Sequence, residues 1–442
     1  MIIFLFLIVF ILLGIPMAYS FGLAGITYLL LNAQPVDLLP QAAFGSIDTF
    51  TTLSLPFFML AGDIMKHGGV SKRLVKLAKI FFKRSKAAMG NITTLACAFF
   101  GAISGSSAAT VAAIGGIMVP EMRKSGYGKV YSTSVICATG FLGIMIPPSV
   151  PIVIYGVAAN VSVGKLFMAM IVPGIMLTAA FILTNMVLVK KPGNFVSFDS
   201  QNRIVETAET GDFSEYEAVA QEAADELPNG KVLLDAIPAV LMPVIIMGGI
   251  YGGIFTATEA AAVSCVYGLI VSMFIYKEIK IRDIPQIALE SGVTAIKILL
   301  IMSLAGFFGK IMALTGIPQI LAEAIIGMTD SKYVLMLLLN LVLLVCGMLM
   351  ETGTAIILVT PILLPIAVKI GLDPIHFGVI TNMNLAIGLI TPPMALNLFV
   401  GSQVGKVPIA KLIKPILPWL TISLCMLALV VMFPQLSLIF IK

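Results

Sequence analysis

Residues 143–149 read GIMIPPS and residues 388–394 read GLITPPM, two proline pairs that each follow a glycine inside an apolar stretch. A proline within a helix removes one amide donor and frees the carbonyl four residues earlier; two together unwind a turn. At membrane depth, irregular backbone is tolerated only where it is buried in protein or lines a cavity. Both strings therefore predict helices broken at a site.

The two breaks are related. A shift of 245 residues carries Pro120 onto Pro365, Gly126 onto Gly371, Gly143 onto Gly388, Pro147 and Pro148 onto Pro392 and Pro393, and Gly156 onto Gly401. Eight of the 53 positions in 104–156 are identical to those in 349–401, and six of the eight are Gly or Pro. General enrichment of membrane helices in these two residues would not hold such spacings. The chain reads as an ancient internal duplication.

Charge orients the two copies, because lysine and arginine concentrate on the cytoplasmic side. Placing 66–86, 121–131, 190–232, 277–283 and 405–414 there collects 21 of the 27 basic residues. Segments 66–86 and 121–131 then share a side although one apolar stretch separates them. A re-entrant hairpin over 88–120, with its tip at Ser104-Gly105-Ser106-Ser107, reconciles the two. Its counterpart over 334–370, with tip Glu351-Thr352-Gly353-Thr354, should enter from the outside, since 312–330 lacks the positive charge of the matching arm at 67–85.

The expected fold is an all-α polytopic membrane protein of two inverted-topology repeats, each with a re-entrant helical hairpin and a broken helix. The first repeat covers 1–189: scaffold helices to 66, an amphipathic interfacial arm over 67–86, hairpin 88–120, broken helix 130–160 and helix 166–189. The second covers 233–442, with hairpin 334–370 and broken helix 376–404. Between them, 190–232 carries nine acidic and four basic side chains and reads as a solvated cytoplasmic linker, within which 212–230 could form one helix. Both termini then face outward.

Composition agrees. Hydrophobic residues are 59% and charged residues 11% of 442, and mean hydropathy is +1.07. A soluble domain carries about a quarter charged residues, so lipid is the solvent here. The net charge of +5 follows from the cytoplasmic bias and does not imply nucleic acid. Five cysteines sit in apolar stretches without ligand spacing, which argues against disulfides and zinc. No histidine is placed to activate the serines of the first tip, no HExxH occurs, and lysines and glutamates are too few in the spans for a respiratory proton pump. No enzyme and no cofactor are expected.

Freed carbonyls and tip hydroxyls are hard oxygen donors suited to sodium, while half-helix N-termini present amides to an anion. Hydroxyls come from Ser104, Ser106, Ser107, Thr352 and Thr391. Asn382, Asn384 and Asn397 line the second broken helix, and the candidates for substrate contact are Ser106, Ser107, Thr354, Asn384 and Asn397. Glu351 reads as a cap of the returning half-helix or a neighbour of the cation, Glu259 as a helix cap after Thr256, and Asp63 as a partner for a lysine of the arm.

The strings GAISGSSAATVAAIGGIMVPEM (101–122), GIMIPPSVPIVIYG (143–156), GGIYGGIFTATEAAAV (248–263), METGTAIILVTPILLPIA (350–367) and NLAIGLITPPMALNLFVG (384–401) resemble the large membrane subunit of tripartite ATP-independent periplasmic (TRAP) transporters. The resemblance runs over nearly the whole chain. It implies an elevator-type fold of the ion-transporter superfamily in the bacterial inner membrane. It also implies sodium-coupled uptake of a carboxylate, such as a C4-dicarboxylate or sialic acid. A periplasmic substrate-binding protein would deliver the substrate, and a small membrane subunit of about four helices would brace the scaffold. By the same resemblance one sodium site uses Ser104, Gly143, Ile146 and Pro148, and the second Thr352, Gly388, Thr391 and Pro393. A sodium/carboxylate symporter of the same fold that needs no binding protein is the alternative.

Overall fold

The computed structural model describes residues 2–82, 87–189, 197–198, 204–205, 229–317, 320, 323, 327 and 331–441. Four helices open the chain: α1 (Ile2–Leu12), α2 (Met17–Leu31), α3 (Leu38–Ile47) and α4 (Ser54–His67). Gly69, at φ +72°, turns α4 into α5 (Val70–Phe81), a left-handed conformation that glycine adopts without steric cost. Val70, Leu74, Val75, Leu77 and Ala78 of α5 are buried while Lys72 and Lys76 are exposed, the two faces of an amphipathic helix.

Charges fasten both ends of α5. Arg73 donates from Nε to Asp235 at 3.2 Å and from Nη1 to Glu278 at 3.4 Å and to the Gly69 carbonyl at 3.1 Å. Its guanidinium also lies 3.7 Å from the Tyr276 ring centroid, within cation–π range. Toward the other end Lys79 reaches Glu121 at 3.3 Å.

The first hairpin is α6 (Ala88–Ser104) and α7 (Ser107–Lys124), and it reverses at Gly105, with φ +58°. The Ser106 hydroxyl caps α7 by accepting from the Ala109 amide. Next come α8 (Lys129–Thr139), α9 (Leu142–Met145) and α10 (Val150–Ala158). Lys129–Met145 and Val150–Ala158 meet at 44° across the proline pair. Then α11 (Val163–Leu188) completes the first half.

The second half holds α12 (Asn229–Tyr251), α13 (Ala257–Ile270), a π-helical turn at Val271–Ile275, and α14 (Ile284–Leu314). It continues with α15 (Lys332–Leu349), α16 (Thr352–Lys369), α17 (Pro374–Gly388), α18 (Leu396–Gly405), α19 (Ile409–Met432) and a short α20 (Gln435–Leu438). The offset of 245 residues found in the sequence carries the ends of α6, α7 and the start of α8 onto those of α15, α16 and α17 to within one residue. Helix stops were set by the same Gly and Pro positions that survive the duplication.

Two expectations for 190–232 change. It is not featureless: β1 (Ser197–Phe198) pairs antiparallel with β2 (Ile204–Val205), a small exception to the all-α design. Gly230 does not stop a helix there but lies inside α12. A proline just ahead of a first turn, such as Pro228, costs nothing because those amides have no intrahelical acceptor. The helix expected over 212–228 lies outside the described residues.

Seven helices are long and apolar enough to cross a membrane, eight if the bent pair counts as one span, among the described residues. Packing is crossed between the copies: α7 and α8 lie against α18, and α10 against α16. Each hairpin's returning limb therefore meets the half-helix beyond the other copy's break. Around them α14 packs on α2, α3 and α4, and α13 on α4.

Candidate functional site

Crossed packing brings both tips to one cavity of about 480 Å³. The first tip contributes Ser104, Gly105, Ser106 and Ser107, and the second Glu351, Thr352 and Thr354. Ile144 and Val150 flank it from the first break, Leu389 and Leu396 from the second. Its remaining wall is one face of α4, with Gly62, Asp63 and Lys66, and one face of α14, with Thr294, Lys297 and Ile301. Gly62 lets α4 approach closely, since a Cβ there would lie 3.3 Å from the Ser104 Cα and carbonyl oxygen.

At the first tip the backbone of the break is folded against the hairpin. A Cβ on Gly143 would lie 2.3 Å from the Thr110 hydroxyl and 2.8 Å from the Ser106 carbonyl oxygen. One on Gly105 would lie 3.3 Å from the Pro148 carbonyl oxygen, and the Val150 amide donates to the Gly105 carbonyl at 3.4 Å. Thr110 donates to the Ser106 carbonyl at 2.7 Å and sits 3.3 Å from the Ser104 hydroxyl. Ser104, Gly143 and Pro148 thus converge with Thr110, which was not singled out in the sequence. Its signal was available: it follows Ser106 by one helical turn, where a threonine can reach back to a tip carbonyl. Ile146 is half-buried and its amide bonds to the Leu142 carbonyl at 3.1 Å.

At the second tip Glu351 caps α16 by accepting from the Thr354 amide at 3.1 Å, one of the two roles expected of it. Thr352 is buried and its hydroxyl has no hydrogen-bond partner. Thr391 donates to the Ile387 carbonyl at 2.8 Å. Gly388 lies against Gly347, whose carbonyl carbon a Cβ would approach to 2.2 Å. Pro393 and Met394 are exposed, whereas Pro147 and Pro148 are buried. The Pro147-Pro148 and Pro392-Pro393 bonds are both cis.

The asparagines divide. Ser107 donates to Asn397 Oδ1 at 2.8 Å, and Asn397 donates to the Cys137 carbonyl at 3.2 Å. Asn382 donates to the Ile144 carbonyl at 2.9 Å. These two stitch the second broken helix to the tip and break of the first copy. Asn384 instead donates to Asn340 at 2.6 Å and lines a separate apolar groove of about 320 Å³ beside α15 and α19. Of the substrate candidates, Ser106, Ser107 and Thr354 line the shared cavity, Asn397 backs it through Ser107, and Asn384 lies apart from it.

The remaining acids are also placed. Glu259 and Thr256 form a capping box at the start of α13, as expected. Asp63 faces the cavity one turn from Lys66 and forms no salt bridge among the described residues. Lys297, a lone cation in the middle of α14, was not counted among the site residues and lines the cavity. No cluster of His, Cys, Asp and Glu suited to a metal occurs among the described residues.

With this geometry in view, residues 4–436 match the family described as "Tripartite ATP-independent periplasmic transporter, DctM component". The chain belongs to that family and is a multi-pass large permease. It is similar to the isethionate TRAP transporter permease protein of Oleidesulfovibrio alaskensis, 39% identical over 98% of this chain, which spans 64% of that relative's length. It is 36% identical to the C4-dicarboxylate TRAP transporter large permease of Rhodobacter capsulatus, over 99% of this chain and 98% of that one. The sialic acid TRAP transporter large permease of Vibrio cholerae is 34% identical over 96% and 94%. Among solved structures, the YdaH transporter of Alcanivorax borkumensis shares the fold with a TM-score of 0.63 over 97% of both chains, at 15% identity.

Proposed function

We propose that this chain is the conducting subunit of a sodium-coupled importer of an organic acid, working by an elevator movement in the bacterial inner membrane with both termini periplasmic. The observation that carries the proposal is the single cavity receiving both hairpin tips and flanked by both breaks. Sodium is a hard cation that takes hydroxyl and carbonyl oxygens. Ser104, Gly143, Ile146 and Pro148 would hold one ion, and Thr352, Gly388, Thr391 and Pro393 a second. The first set is supported by the Ser104 and Thr110 hydroxyls and the Ser106 and Pro148 carbonyls gathered at one tip. The second is supported by the buried, unpartnered Thr352 hydroxyl, a group that buried polar chemistry normally satisfies.

The substrate is a carboxylate or a related organic anion, consistent with the C4-dicarboxylate, sialic acid and isethionate named for the relatives. Ser106, Ser107 and Thr354 contact it from the two tips. A periplasmic binding protein delivers it, and a small membrane subunit braces α2, α3 and α14. The test is uptake into liposomes holding this chain, its small subunit and its binding protein. Accumulation should require a sodium gradient and ignore ATP; equal uptake without sodium rejects the coupling. Uptake undiminished by leaving out the binding protein would favour a stand-alone symporter of the same fold.

A further inference from the structure

Lys297 is the feature of the cavity that the sodium sites and the tip hydroxyls leave without a role. It lies within the 31-residue apolar helix α14, 13 positions from the first residue, or about 20 Å along the axis at 1.5 Å per residue. A lysine side chain is too short to carry its ammonium from there to either end of the helix. A charge held at such depth is costly and marks an ion or substrate path unless a partner neutralises it.

The available anions are committed elsewhere. The Glu351 carboxylate accepts from the Thr354 amide at the N-terminus of α16, where the helix dipole favours negative charge. Asp63 sits one turn from Lys66 on α4. Lys297 forms no salt bridge among the described residues. The duplication does not account for it either, because the position 245 residues earlier is Thr52, a neutral and buried residue. Thr294, Lys297, Ile298 and Ile301 form one helical face against the cavity, so the ammonium stands on the wall facing the tips.

We propose that Lys297 binds the anionic head of the transported molecule and so sets the preference for organic anions. The proposal rests on the organic-acid reading above. An ammonium is a compact point charge with three rotatable donors, so it accepts a planar carboxylate or a tetrahedral sulfonate equally. Polarity elsewhere in the cavity, from Ser106, Ser107 and Thr354, is left to read the rest of the substrate. In this arrangement the cation belongs to α14, which packs on α2, α3 and α4, rather than to either hairpin. The anion thus bridges the two parts of the molecule when it is bound.

The test uses the complete transporter in liposomes with a sodium gradient and labelled succinate, N-acetylneuraminate and isethionate. Wild type carrying none of the three overturns the organic-acid reading itself. Where one is carried, Lys297→Gln should raise its apparent KM at least tenfold while the half-saturating sodium concentration stays unchanged. Lys297→Cys should share that defect and recover after reaction with a methanethiosulfonate bearing an ethylammonium group, but not one bearing an ethylsulfonate. Transport by wild type together with an unchanged KM in Lys297→Gln, or equal responses of the cysteine variant to the two reagents, overturns the assignment to Lys297 alone.

Discussion

The two hairpin tips share a backbone plan but not a surface. In the first copy the proline pair is buried, Gly143 is pressed against Thr110, and Gly105 lies beneath Pro148. The tip is a small closed knot of hydroxyls and carbonyls. In the second copy Pro393 and Met394 are exposed, and the Thr352 hydroxyl is buried without a partner. Gly388 packs on another glycine's backbone. Duplication preserved the residues that bend the chain and released those that dress the bend. Hence the two copies can bind the same kind of ion with different accessibility, one from inside a folded knot and one at an open edge.

The sharpest way to break that contrast is to add one methyl group at each inner glycine. Gly388→Ala drives a Cβ into the Gly347 backbone, which cannot turn aside, and should cost about 3 kcal/mol, the upper range for overpacking. Gly143→Ala meets the movable Thr110 hydroxyl as well as the Ser106 carbonyl, so it should cost less and recover partly when combined with Thr110→Ala. Thermal unfolding of the purified complex reads both; equal losses with no recovery would erase the distinction. Next, Asn397→Ala leaves the Ser107 hydroxyl and the Cys137 carbonyl without their partner and should cost about 2 kcal/mol. A double-mutant cycle with Ser107→Ala should show non-additivity, and strict additivity would mean the stitch between copies carries no energy.

Smaller effects belong to the caps. Glu351→Ala and Ser106→Ala remove repeat-related acceptors from the first turns of α16 and α7 and should each cost about 1 kcal/mol. The serine should cost the less, because its bond is 3.4 Å against 3.1 Å for Glu351; the same unfolding measurement ranks them. Smallest in stability is Thr352→Val, which deletes a hydroxyl that bonds to nothing and should change unfolding by less than about 0.5 kcal/mol. Its half-saturating sodium concentration should nevertheless rise severalfold. A normal sodium dependence would remove Thr352 from the ion site.

Much of the architecture was legible because helix ends are written locally. Gly105, Pro147, Pro148, Pro392 and Pro393 act on the backbone at their own positions, so a shifted comparison of the sequence found the helix ends to within one residue. Side-chain direction across the copies is another matter. Asn384 and Asn397 look alike in a polar pattern, yet one turns to Asn340 and an apolar groove while the other meets Ser107. Nothing within either helix decides this; it depends on α18 lying against α7 and α8. Lys297 escaped notice for the same reason, since only the packing of α14 shows which of its faces borders a cavity.

The fastening of α5 has a mechanical consequence. Its Arg73 end is clasped by Asp235, Glu278 and the Tyr276 ring, all beyond the first hairpin in the second half of the chain, while its Lys79 end holds Glu121 on the hairpin itself. The helix is therefore a crank with a fixed pivot and a driven pin. Any travel of the hairpin along the membrane normal must either swing α5 about Arg73 or part Lys79 from Glu121, so this one short helix sets the length of the stroke.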